Sequence, residues 1–134
     1  SKQTNPFLEK FYHIYPQQFI ICNDSKRYDK YSLVFFMVFV YTIKKCKKEK
    51  QTGDIFVRFS GIWGTDLEMV FQGEAKCHLH DPEESEPWWF DAKLQKFQGK
   101  YYLFDSADAS ITEFDNWSTD CFCAKEVYYH IVPR

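Results

Sequence analysis

Ile55–Leu79 reads IFVRFSGIWGTDLEMVFQGEAKCHL. Apolar and polar residues alternate along it with a period of two, the signature of half-buried strands. Ile55, Val57 and Phe59 share one face, with Phe56 and Arg58 opposite. Leu67, Met69 and Phe71 share another, with Asp66, Glu68 and Val70 opposite. Ala75, Cys77 and Leu79 follow, with Lys76, His78 and His80 opposite. Gly61, Gly64 and Gly73 punctuate the runs as turns. Upstream, Leu33–Ile43 is rich in Val, Phe and Tyr and apolar on both faces. Downstream, Trp88–Phe97, Tyr101–Phe104, Ser110–Phe114 and Cys121–Val132 complete a set of about eight strands. Most connections are too short for parallel crossovers, which need about a dozen residues or more. The expectation is one all-β domain over residues 1–134: an antiparallel meander that closes into a barrel and so removes its edges. A flattened sandwich is the alternative. One short helix is expected before Pro16, capped by Asn5, with Pro6 at its first position and Phe7, Leu8, Phe11 and Ile14 as its apolar stripe.

The chain has 134 residues and a formal net charge of -2. That balance argues against a general nucleic-acid binder, which needs excess Lys and Arg to displace counterions. Aromatic content is 20%, whereas glycine numbers only 5, and no glycine-rich phosphate loop is present. The longest apolar run is about eleven residues, too short for a helical membrane span. The basic run Lys44–Lys50 ends at Thr52-Gly53 and reads as a solvated hairpin end, or as a patch for heparin or acidic lipid.

Five cysteines occur, Cys22, Cys46, Cys77, Cys121 and Cys123, with no CxxC spacing. Cys121 and Cys123 are read as facing opposite sides of a strand and so as taking different partners. Two disulfides are expected, linking Cys22 or Cys46 to the late pair. Sequons at Asn23 and Asn116 add a mild signal for glycosylation and secretion. Cys77-His78-x-His80-Asp81 looks metal-like, but a strand places Cys77 opposite the histidines, so no metal and no cofactor is expected. No nucleophile-elbow motif occurs, and an enzyme is not expected.

Acids interleave with aromatics along the strands: Asp66 and Glu68 after Trp63, and Glu126 before Tyr128. An inward carboxylate is costly unless neutralised, and a ligand cation held by aromatic faces is one neutraliser. If the faces carrying Asp66 and Glu68, and Glu126 and Tyr128, look inward, they form a cage for a small cation. If Val127, Tyr129 and Ile131 look inward instead, the acids lie outside.

The segment SITEFDNWSTDC, residues 110–121, looks like the late strand of the divergent salivary lipocalins of blood-feeding ticks. Glu126-Val127-Tyr128 is similar to the Glu-Leu-aromatic element of their biogenic-amine binders. The resemblance implies a secreted barrel that sequesters a small ligand such as histamine or serotonin, with Glu126 and Tyr128 holding the amine. The alternative is a secreted module that binds a host or partner protein.

Overall fold

The computed structural model describes residues 11–13, 32–61, 64–80, 88–106 and 120–134. They form nine strands: β1 (Tyr12–His13), β2 (Ser32–Lys48), β3 (Ile55–Gly61), β4 (Thr65–Gln72), β5 (Lys76–His78), β6 (Trp88–Phe97), β7 (Lys100–Phe104), β8 (Cys121–Ala124) and β9 (Glu126–Pro133). Every pairing is antiparallel, and the strands join in the order β1-β9-β4-β3-β2-β6-β7-β8-β5. The all-β antiparallel expectation holds. The expected short helix does not, because Tyr12–His13 pairs as a strand with Tyr129 and Tyr128 of β9. Asn5, Pro6, Phe7, Leu8 and Ile14 lie outside the described residues, as do Ser110–Phe114. The order also differs from a simple eight-strand meander closing on itself: it is a nine-strand sequence with β1 and β5 at its ends.

Two bends shape the sheet. β4 runs through Gly73–Ala75 into β5, and β8 runs through Lys125 into β9. β4 pairs with β9 from Thr65↔Pro133 to Gln72↔Glu126, and β5 pairs with β8 from Lys76↔Cys123 to His78↔Cys121. Two long bent strands thus lie side by side. The Lys125 N–H donates to the Gly73 carbonyl at 2.9 Å where they bend, and Glu74 meets Lys100 at 3.2 Å. Gly73 has φ 84°, and a Cβ there would lie 3.0 Å from the Lys125 Cβ. Gly73→Ala combines left-handed strain with that crowding and is expected to cost about 1–2 kcal/mol. Urea unfolding with an unchanged slope checks it.

The apolar face rolls over on itself around Phe122. Its ring stacks on Phe71 at 4.9 Å and meets Trp89 at 6.1 Å and Phe59 at 6.2 Å. Ile55, Val57, Leu103, Ala124 and Val127 are among the other buried residues of this core.

β2 carries the basic run further than the sequence suggested. Lys44–Lys48 stays in the strand because Ile55–Arg58 supply ladder partners. An irregularity between Ile43 and Lys45 adds one residue against β3: Ile43 pairs with Phe59, but Lys45 with Arg58. One extra residue exchanges the faces of everything beyond it. Tyr41 and Ile43 pack on the core. After the bulge, Cys46 and Lys48 pair with the core residues Val57 and Ile55, while Lys45 and Lys47 join the opposite face beside Arg58 and Phe56.

Candidate functional site: the outer face of β2, β3, β4 and β9

Leu67, Met69 and Phe71 turn to the core, so Asp66, Glu68 and Val70 occupy the outer face of β4. Likewise Val127 is fully buried and Tyr129 packs on the core, which puts Glu126 and Tyr128 outside. The inward cation cage expected from Asp66, Glu68, Glu126 and Tyr128 is therefore not formed. The physical reason is ordinary: on each strand the more apolar face took the core. Trp63, the fifth residue of that expected site, lies outside the described residues.

The chain neutralises these acids itself. Arg58 Nε–H donates to Asp66 Oδ2 at 2.7 Å, and Arg134 Nε lies 3.3 Å from Asp66 Oδ1. Asp66 is 1% exposed, yet it sits outside the apolar clusters, covered by these arginines. Burial raises its pKa, but the Arg58 hydrogen bond and the charges of Arg58 and Arg134 outweigh it, so the carboxyl lies below its ordinary value. Arg58 also reaches Glu68 at 3.7 Å. Glu126 Oε2 accepts from the Tyr128 hydroxyl at 3.0 Å and lies 3.1 Å from His13 Nε2 of β1. The His13 ring stands edge-on to Tyr128 at 4.9 Å.

Ladder register sets these side chains in rows across the outer face. One row runs His130, Glu68, Arg58, Lys45; the next runs His13, Tyr128, Val70, Phe56, Lys47. At the β2 end the rows open into a groove of about 700 Å³, floored by Phe56 and Val70. Lys45 and Lys47 line one side, Glu68 another, and Glu49, Gln51, Thr52 and Asp54 the turn end. Asp54 accepts from the Gln72 amide at 3.3 Å. Among the described residues, Lys45 and Lys47 have no ion-pair partner. Sequence reading singled out the basic run but missed Phe56 and Val70 as its floor. The alternation of Phe56 with Arg58 was the available signal, and the bulge that turns Lys45 and Lys47 toward them was not visible.

The cysteines depart from expectation. Cys46, Cys77, Cys121 and Cys123 are free thiols. Residues two apart on a strand share a face, and Cys121 and Cys123 do: they cluster with Phe104 and Tyr102 on the side of β8 opposite Phe122 and Ala124. The sheet therefore separates them from Cys46, which lies on the core side, and the expected link from Cys46 to the late pair has no path. Cys22, Asn23 and Asn116 lie outside the described residues. At the other end of the sheet, His78 and His80 meet edge-on at 5.3 Å, and Asp120 accepts from the His80 backbone N–H at 2.7 Å and lies 2.6 Å from Nδ1. This ties β5 to the start of β8, and no metal-ligating group of three or more occurs among the described residues. No described helix is long and apolar enough to cross a membrane.

Comparison of the chain with protein-family models, with curated proteins and with solved structures gives no match.

Proposed function

We propose that this chain is a non-catalytic binding protein that holds a small amphipathic anion in the outer groove. One observation carries the reading: an apolar floor, Phe56 and Val70, beside two ammonium groups, Lys45 and Lys47, that have no ion-pair partner among the described residues, in about 700 Å³. That size lies within the usual range for small-molecule sites, which combine apolar lining with a few polar anchors. The ligand's apolar part lies on Phe56 and Val70, and its anionic head meets the two lysines. The acids that would hold an amine are already engaged: Glu68 and Asp66 by Arg58, and Glu126 by Tyr128 and His13. At the Lys45–Lys47 side the groove takes the opposite ligand charge from histamine or serotonin, with the carboxylates of Glu49 and Asp54 at the turn end. The paired bends of β4–β5 and β8–β9 support a rolled, barrel-like closure, and a lipocalin-like relationship and secretion belong to the same proposal. A partner-protein reading draws on Tyr12 and Ile131, which are 65% and 56% exposed near the β1–β9 end of the sheet.

Fluorescence titration with anilinonaphthalene sulfonate tests the groove. Lys45→Glu combined with Lys47→Glu should weaken binding about tenfold, since two exposed charge contacts of about 0.2–1 kcal/mol each are lost and replaced by repulsion. Equal binding by the double variant contradicts the proposal.

A further inference from the structure

We propose that the outer groove selects a zwitterion, an apolar body with an anionic group at one end and an N–H-bearing ammonium at the other, the anion held by Lys45 and Lys47 and the ammonium by Glu49 and Asp54. The inference rests on the anion reading of the same groove and adds the charge of the ligand's far end.

Three rows of side chains build the groove. Positions two apart on a strand share a face. Lys45, Arg58 and Glu68 therefore form one row, and Lys47, Phe56 and Val70 the next. Glu49, Asp54 and Gln72 form the third. The Glu49 N–H donates to the Asp54 carbonyl at 2.8 Å, one step past the Lys48↔Ile55 pair, and the Gln72 amide donates to Asp54 Oδ2 at 3.3 Å. The turn between them is tied as well. The Gly53 N–H donates to the Glu49 carbonyl at 2.8 Å, and the Asp54 N–H to Thr52 Oγ1 at 3.2 Å. The hairpin thus fixes where both carboxylates are rooted. A rise of about 3.3 Å per residue puts the first row about 13 Å from the third, the span of a small elongated molecule.

Charge is sorted along these rows. Arg58 is engaged by Asp66 at 2.7 Å and Glu68 at 3.7 Å. Among the described residues, Lys45, Lys47, Glu49 and Asp54 enter no ion pair. Two ammonium groups therefore line one end of the groove and two carboxylates the other, with the apolar floor of Phe56 and Val70 between. A ligand with an anionic head alone lays an uncharged tail against Glu49 and Asp54, and strips water from two carboxylates without replacing it. An ammonium there restores the lost hydrogen bonds with charge-assisted ones. The sorting also sets the ligand's direction, since turned end for end each charge meets its like.

The test compares two fluorescent probes. Aminoethylaminonaphthalene sulfonate carries a sulfonate and an alkylammonium on opposite rings. Its N-acetyl derivative keeps the rings and the sulfonate but has no ammonium. Titrated into the wild-type chain at low salt, the zwitterion should bind about fivefold more tightly, the gain from two exposed charge contacts. Glu49→Gln combined with Asp54→Asn should erase that preference, and the N-acetyl probe should bind the double variant more tightly than it binds the wild type. Equal binding of the two probes by the wild-type chain, or tighter binding of the N-acetyl form, would overturn the inference and leave a groove for an anion alone. A preference that survives in the double variant would also overturn it, because the ammonium then lies elsewhere. Binding of neither probe to the wild-type chain would remove the anion reading together with this one.

Discussion

Replacing Phe122 by alanine is expected to destabilise the chain by about 3–5 kcal/mol, the cost of truncating a fully buried aromatic and leaving a cavity. Phe122 is 0% exposed and touches both sides of the rolled sheet: Phe59 of β3 and Phe71 of β4 on one, Trp89 of β6 on the other. Domains of this size hold only about 5–15 kcal/mol in total. Phe122→Ala should therefore lower the unfolding midpoint steeply, or leave the chain unfolded at ordinary temperature. Phe122→Leu retains much of the volume and should cost clearly less. A cost under about 1 kcal/mol for Phe122→Ala would mean that the two sides are not packed on this ring.

The second large effect is expected at Asp66. Removing its carboxylate with Asp66→Ala leaves Arg58 and Arg134 without their shared acceptor, and hydrogen bonds to charged groups contribute about 1.5–3 kcal/mol. The lower half of that range is expected, because the arginine side chains are 33% and 42% exposed and solvent screens them. The pH dependence has a definite sign. The folded-state pKa of Asp66 is depressed, so its contribution is fully present above the unfolded value of about 3.9. It is lost as pH falls from there through the lower folded value. The wild-type chain should lose stability over that acid window, and Asp66→Asn should show a flatter profile there. Chemical unfolding at a series of pH values measures both. Parallel acid profiles for the two proteins would remove Asp66 from the account.

Much of the strand pattern was legible. Trp88–Phe97 and Tyr101–Phe104 read as strand candidates on either side of the Gln98-Gly99 turn, and the strands found there are Trp88–Phe97 and Lys100–Phe104. Local periodicity sufficed for strands such as β3, which buries Ile55, Val57 and Phe59 on one face. What the period does not contain is which face turns inward. For Glu126–Ile131 the apolar set, Val127 and Tyr129, decided it, and a likeness to an amine-binding element pointed the other way. The bulge after Ile43 was invisible because it depends on the register against β3, not on Ile43 or Lys44 themselves. The groove follows from that bulge, since a regular strand would have put Lys45 and Lys47 with Ile43 on the core side. Tyr12–His13 became a strand because β9 offered it ladder partners, a tertiary effect that the Asn5-Pro6 start signal did not contain.

The central claim is that the ligand lies in the outer groove while the inner face is a packed core. Backbone amide shifts during titration with anilinonaphthalene sulfonate test it most directly. The predicted result is a cluster of shifted amides at Lys45, Lys47, Asp54, Phe56, Glu68 and Val70, with Phe59, Trp89, Phe122 and Val127 unmoved. Shifts centred on Phe59, Trp89 and Phe122 would contradict it and place the ligand inside the rolled sheet.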